Sequence, residues 1–176
     1  SNGKTTTSYL TYQMLDSSNL FQHGLGGNIG VPLFSLLLDQ RVHRGIVIEA
    51  SSFMLHNTYE CKPKIYVLTN LIPHHLDYHK TMDNYANAKS RIIYQLEDKG
   101  MLILNKDMNY FSQFKRLCIN RVYTYSMQDE TAMIYGKILD RKIGRMQLAI
   151  DTLYKKKIVN TKLIGNFNLE NLLATY

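Results

Sequence analysis

Three short runs of the chain are apolar at nearly every position: Gly45-Ile46-Val47-Ile48-Glu49, Ile65-Tyr66-Val67-Leu68-Thr69 and Met101-Leu102-Ile103-Leu104-Asn105. A strand with one wet face alternates apolar and polar residues; these do not, so they predict strands covered on both sides, as in a parallel sheet. Helical periodicity separates them. Lys4 to Leu15 predicts a helix with Leu10, Met14 and Leu15 on its buried face, broken by Asp16-Ser17-Ser18-Asn19. Tyr85, Ala88, Ile92 and Leu96 recur at helical spacing and predict a second from Asp83 to Glu97. Gly24 to Pro32 reads as a glycine-rich loop, with Pro32 in the first turn of a helix over Leu33 to Leu38, an arrangement able to receive an anion. From Thr131 to Leu163 the pattern alternates, with turn signals at Asp140-Arg141-Lys142 and Tyr154-Lys155-Lys156. The expectation is an α/β fold, a mostly parallel sheet flanked by helices with a small antiparallel sheet appended near the C-terminal end. Gly165 to Tyr176 reads as a loop entering a last helix, and no repeat, low-complexity tract or linker interrupts the pattern.

At 176 residues and 45% hydrophobic content, the chain is of a size and composition to bury one core. No apolar run approaches the roughly 20 residues of a membrane helix, and no basic-then-apolar leader opens the sequence, so a cytoplasmic protein without a membrane span is expected. Cys61 and Cys118 lack metal or redox spacing and are expected as two buried thiols. The formal charge of +7 does not single out nucleic acid, because the basic residues are scattered and the densest run, Lys155-Lys156-Lys157, adjoins a turn. Phosphorylated substrates account for the same charge, since lysine and arginine concentrate anions.

Four places could carry chemistry. Gly3-Lys4-Thr5 at a helix start matches the back half of a phosphate-binding loop, in which main-chain N–H groups wrap the phosphates, a lysine neutralises them and a threonine hydroxyl ligates Mg²⁺. Taken alone, the triplet fits an exposed loop as well. Glu49 ends an apolar strand, where an open parallel sheet binds its ligands, and reads either as a metal ligand or as a solvated acid. Pro73-His74-His75-Leu76-Asp77-Tyr78-His79 follows Thr69-Asn70 and lacks a zinc spacing. Lys89, read by itself, is an exposed helix lysine.

Six segments in one order carry a resemblance that no single one does. Ser1 to Thr7, Gly26-Gly27-Asn28-Ile29-Gly30-Val31-Pro32, Glu49 to Leu55, Thr69 to His79, Tyr85 to Lys89, and Leu163-Ile164-Gly165-Asn166-Phe167-Asn168-Leu169-Glu170-Asn171 together resemble the central ATP-binding domain of the Mur ligases, with a P-loop-type sheet. The GGNIG loop and the Ser51-Ser52-Phe53 element look most like the members that add D-glutamate to UDP-N-acetylmuramoyl-L-alanine; the HLDYH stretch is equally similar to those adding the third residue. The resemblance implies ATP-driven amide synthesis through an acyl phosphate, with ATP, a UDP-muramoyl precursor and D-glutamate as partners and Mg²⁺ at two sites. By position it implies that Asn2, Gly3, Lys4, Thr5 and Thr6 hold the phosphates, and that Asn168 and Asn171 lie on the adenine side. It places one Mg²⁺ on Thr5 and Glu49, and the second on His75 and on Lys89 as a carbamate. Lys4, His75 and Lys89 would be the catalytic residues, and Asn28, Ser51, Ser52 and Tyr85 would face the muramoyl substrate. It further implies residues 1–176 as a middle domain beginning within the phosphate loop, lacking the UDP-binding and C-terminal domains and inactive alone, in an enzyme that is monomeric when complete. Three departures stand out: His74 replaces an acid or small residue, Phe167 a histidine and Met54 a glutamine. Another Mur or folylpolyglutamate-type ligase, and a degenerate nucleotide-binding remnant, are the alternatives.

Overall fold

The computed structural model describes residues 2–17, 23–39 and 45–176. Its N-terminal part is helix α1 (Lys4–Ser17) against a two-stranded parallel sheet of β1 (His23–Gly27) and β2 (Gly45–Glu49), with the short α2 (Leu33–Leu38) between the strands. After α3 (Ser52–His56) comes a six-stranded sheet ordered β3 (Ile65–Leu68), β4 (Met101–Asn105), β5 (Arg121–Ser126), β6 (Ile134–Lys142), β7 (Arg145–Thr152) and β8 (Lys156–Thr161). Strands β3 to β6 are parallel, and β6, β7 and β8 antiparallel. Helices α4 (Leu76–His79) and α5 (Met82–Ser90) connect β3 to β4, α6 (Phe111–Leu117) connects β4 to β5, and α7 (Asn166–Leu173) follows β8.

The reason for the apolar runs is visible in the core. Leu68, Leu102 and Leu104 point to one face, into a cluster with Tyr85, Ala86, Ile93 and Phe114 from the helices. Their neighbours Val67 and Ile103 point to the other, toward Tyr125, Leu148, Leu169 and Leu173. A strand buried on both faces has no polar positions to spare.

Several expectations change. The glycine-rich stretch is not all loop: His23 to Gly27 pairs with Gly45 to Glu49, because main-chain pairing needs no side chains. Pro32 precedes α2 as its N-cap residue. The buried residue of α1 is Thr7, while Met14 and Leu15 are exposed, since the helix docks through its first turns rather than its end. The helix expected to Glu97 ends at Ser90 and tightens into a 3₁₀ turn over Arg91–Gln95, starting from Thr81, whose hydroxyl accepts from Asn84 N at 3.1 Å. The antiparallel strands extend the main sheet, for β6 pairs with β5 before β7. Asp140 to Lys142 lie inside β6 after a bulge, with the turn displaced to Ile143-Gly144. Strand β5 and helix α6 are additions. Cys61 and Cys118 are half-buried free thiols. Ser18 and Asn19 of the expected helix break lie outside the described residues.

Candidate active site

The chain approaches α1 through a loop tied to the end of β3. The main-chain N–H of Asn2 donates to Asn70 Oδ1 at 2.8 Å, and its carbonyl accepts from Asn70 Nδ2 at 2.9 Å and Thr69 Oγ1 at 3.0 Å. Gly3 follows with φ +79°, a conformation costly for a residue with a Cβ. A Cβ there would also lie 2.1 Å from Oδ1 of Asn171 in α7, so the close approach of the two elements requires glycine. Asn171 is 3% exposed and its Oδ1 accepts from Thr7 Oγ1 at 3.3 Å. The result is an open cleft of ≈ 560 Å³ between Asn2 to Thr6 on one side and Phe167, Glu170 and Asn171 on the other. The N-terminal end of the 14-residue α1, the positive end of its dipole, borders the cleft, with Lys4, Thr5 and Thr6 in the lining.

One step deeper, Glu49 is 3% exposed at the end of β2. Its Oε2 accepts from Thr5 Oγ1 at 2.7 Å and its Oε1 from Asn28 Nδ2 at 3.1 Å, while its carbonyl accepts from Asn28 N at 2.8 Å. Both readings of the acid are thereby narrowed: it is buried and bonded to the helix start. Among the described residues no three His, Cys, Asp or Glu side chains gather into a metal cluster. A cation beside Thr5 and Glu49 would draw one hydroxyl and one carboxylate from the protein and its other ligands from water and phosphate, the donor set that suits Mg²⁺.

A layer of rings lies on the other flank. Ser51 caps α3, its hydroxyl accepting from Met54 N at 3.2 Å. His75, the residue before α4, has left-handed φ/ψ of 56° and 34° and sets its ring 4.8 Å from Phe53. The His74 ring lies 3.9 Å from it, centroid to centroid, at a 42° tilt; the neighbouring His75, and then desolvation, hold its imidazole below the usual range. His79 is buried, its Nε2 2.9 Å from Ser52 Oγ, and burial, then His56, lowers its pKa.

Lys89 is not the exposed helix lysine that its surroundings in the sequence suggest. It is 3% exposed, with Nζ 5.3 Å from the centroid of Tyr85, and its carbonyl accepts from Tyr66 Oη at 3.1 Å. Burial, and then the charge of Lys4, lowers its pKa to about 8. Tyr85 is 1% exposed. Its ring centroid lies 5.3 Å from Lys89 Nζ and 5.2 Å from that of His79. Asn168 donates to Ile164 O at 2.8 Å and accepts from Asn171 at 3.4 Å, backing the cleft wall. Glu170 and Thr7 were given no role of their own from the sequence, and Asn70 appeared there only as part of the Thr69-Asn70 strand end, where a parallel sheet binds its ligands.

A family model described as the Mur ligase middle domain matches residues 1–176. The chain belongs to the Mur ligase family. Among curated relatives it is 36% identical over 176 residues to a UDP-N-acetylmuramoylalanine–D-glutamate ligase of Clostridium kluyveri, and 33% over 179 residues to one of Clostridium acetobutylicum. The Mur ligase chain described here spans 37% of the length of these relatives, and each match covers all of it. A solved UDP-N-acetylmuramoyl-L-alanyl-D-glutamate:2,6-diaminopimelate ligase superposes with a TM-score of 0.83 at 27% identity, covering 99% of this chain and 40% of that one. The MurF ligase of Thermotoga maritima, solved in complex with ADP, shares the fold at a TM-score of 0.78 and 20% identity, covering 99% and 42%. No helix among the described residues is long and apolar enough to cross a membrane.

Proposed function

We propose that the full-length protein is an ATP-dependent ligase of peptidoglycan precursor synthesis that joins D-glutamate to UDP-N-acetylmuramoyl-L-alanine. Residues 1–176 are then its central ATP-binding domain, beginning within the phosphate loop, and the UDP-binding and C-terminal domains belong to the rest of the chain. The observation that carries this reading is the buried Glu49 accepting from Thr5 beside Lys4, in a chain 36% identical to such a ligase.

The chemistry is activation of a carboxylate followed by amide formation. A carboxylate oxygen of the muramoyl-alanine attacks the γ-phosphorus, the bond to ADP breaks, and an acyl phosphate results. The D-glutamate amine then adds to the acyl carbon, loses a proton, and expels phosphate. Lys4 and the N–H groups at the start of α1 bind the β/γ oxygens and hold the phosphates in line. Thr5 and Glu49 would hold one Mg²⁺, His75 and a carbamylated Lys89 the other; the metal supplies positive charge against the polyphosphate. A neutral Lys89 amine can add to CO₂ and release a proton to solvent, becoming an anion where a cation stood. Asn28, Ser51, Ser52 and Tyr85 lie toward the muramoyl substrate, and Asn168 and Asn171 lie on the adenine side. The protein works in the cytoplasm as a monomer on small molecules, not nucleic acid.

Phosphate release by the full-length protein with ATP, Mg²⁺ and UDP-N-acetylmuramoyl-L-alanine tests the assignment. Release that requires D-glutamate supports it, and no release with any amine overturns it. A second reading, addition of a diamino acid to the next intermediate in the series, draws on the 27% identity to the diaminopimelate ligase. Release only with the dipeptide precursor and a diamino acid would establish that reading instead.

A further inference from the structure

A second cleft, of ≈ 580 Å³, lies along α5 and shares no lining residue with the one beside the phosphate loop. His56 at the end of α3, Tyr78 in α4, Lys80 in the turn that follows, and the stripe of Asn84, Asn87 and Arg91 on and just beyond α5 contribute to its wall. Each of these side chains carries an N–H or O–H donor, and two are cations. No carboxylate is among the lining residues.

Lys80 is held there at a cost. Its φ of 67° and ψ of −43° are those of a γ-turn, closed by Thr81 N donating to His79 O at 2.8 Å, and the conformation is strained for a residue with a Cβ. Glycine would close the same turn more readily, so local backbone preference does not account for a lysine. The Lys80 Nζ donates to the Asp77 carbonyl at 2.6 Å. Arg91 likewise donates through Nη1 to the His56 carbonyl, with its guanidinium carbon 4.9 Å from the centroid of the Tyr59 ring. Both cations are thus steadied by neutral groups, and neither is in an ion pair among the described residues. Each keeps N–H donors to spare, and an anion between them would relieve the repulsion of two like charges brought to one cleft.

We propose that this cleft is a second anion site, one that takes a phosphate group, as free phosphate or as the arm of a larger metabolite. A tetrahedral anion turns its oxygens in several directions and uses donors from different walls at once: the Lys80 ammonium, the Arg91 guanidinium, the Asn87 amide and the His56 imidazole. A carboxylate, with two oxygens in one plane, is matched by a single arginine fork and would leave Lys80 unused. The site does not depend on the nucleotide reading of the cleft beside α1.

Equilibrium dialysis of the full-length protein against ³²P-labelled inorganic phosphate, at constant ionic strength, tests this. Lys4→Ala is the background, so that the phosphate loop does not contribute, and Lys80→Gly and Arg91→Gln are added to it singly. The expected result is saturable binding to a single site in Lys4→Ala, weakened roughly tenfold or more by either addition, the loss that goes with one charge-assisted hydrogen bond. Lys80→Gly should at the same time raise the thermal midpoint, because it relieves the turn; weaker binding in a more stable protein is not what a structural role predicts. If Lys80→Gly lowers the midpoint, Arg91→Gln decides. No saturable binding in Lys4→Ala, or binding indifferent to Arg91→Gln, would overturn the proposal. Glycerol 3-phosphate competing as well as unlabelled phosphate would support the arm of a larger metabolite, and weaker competition would support free phosphate. Glutarate competing as well as phosphate would overturn the assignment of ligand class.

Discussion

Lys89 offers the most demanding test of the site, because its burial predicts a number. An amine that is 3% exposed loses the hydration of its charged form, and Lys4 repels that charge further; together they bring the pKa to about 8 from a lysine's ordinary 10.5. At pH 7.5 about a quarter of the molecules then carry a neutral, nucleophilic amine, against about one in a thousand for an ordinary lysine. The same displacement corresponds to roughly 3 kcal/mol of linkage between protonation and folding. Since the unfolded chain holds this proton more tightly, the protein loses stability as pH falls from about 10.5 to 8, and the full penalty applies below. Lys89→Met removes that penalty and should be more stable than the wild type near neutrality, with the difference shrinking through this window. The direct assay is NMR titration of ε-¹³C-lysine in CO₂-free buffer, with Lys89→Met to assign the signal. Lys4→Met should move the Lys89 titration upward, and ¹³C-bicarbonate should give a carbamate carbon absent from Lys89→Met. A Lys89 signal titrating near the ordinary ~10.4 would refute the reasoning.

Three further outcomes follow from the geometry. Gly3→Ala combines a left-handed backbone costing about 1–2 kcal/mol with a Cβ 2.1 Å from Asn171 Oδ1, so calorimetry should show Mg·ATP binding lost; wild-type affinity would contradict the role of the close approach. Glu49→Ala strips the acceptor from Thr5 and Asn28, both exposed enough for water to replace it, and should raise the Mg²⁺ concentration for half-maximal phosphate release more than the KM for the muramoyl substrate. An unchanged metal titration would count against it. Lys80 sits at φ 67° in a three-residue turn closed by Thr81 N donating to His79 O at 2.8 Å, and Lys80→Gly should relieve about 1 kcal/mol of strain and raise the thermal midpoint; a lowered midpoint would show the lysine is needed there.

The parallel strands were legible because burial on two faces leaves a simple mark, an unbroken apolar run, and β2 and β4 match their expected bounds. Helix α1 was legible from the helical periodicity that follows Gly3-Lys4-Thr5. Strand β1 was hidden because its glycines carry no periodicity, and the pairing that makes it a strand lies in the main chain of residues 45–49. The burial of Lys89 could not be read from Ala88-Lys89-Ser90-Arg91, since what covers it comes from β3 and from the ring of Tyr85. Glu49 was recognisable as a strand-end acid, but its bonds to Thr5 and Asn28 join segments 44 and 21 residues apart. Such contacts are set by the sheet's topology, which local pattern does not encode.

The central claim is that Lys4, Thr5 and Glu49 align ATP so that a substrate carboxylate takes its γ-phosphoryl group. It is tested most directly by running the full-length protein on UDP-N-acetylmuramoyl-L-alanine labelled with ¹⁸O in its free carboxylate, with ATP, Mg²⁺ and D-glutamate, and weighing the phosphate released. One ¹⁸O atom carried into each phosphate is the predicted result. Phosphate free of the label, released by water, would contradict it.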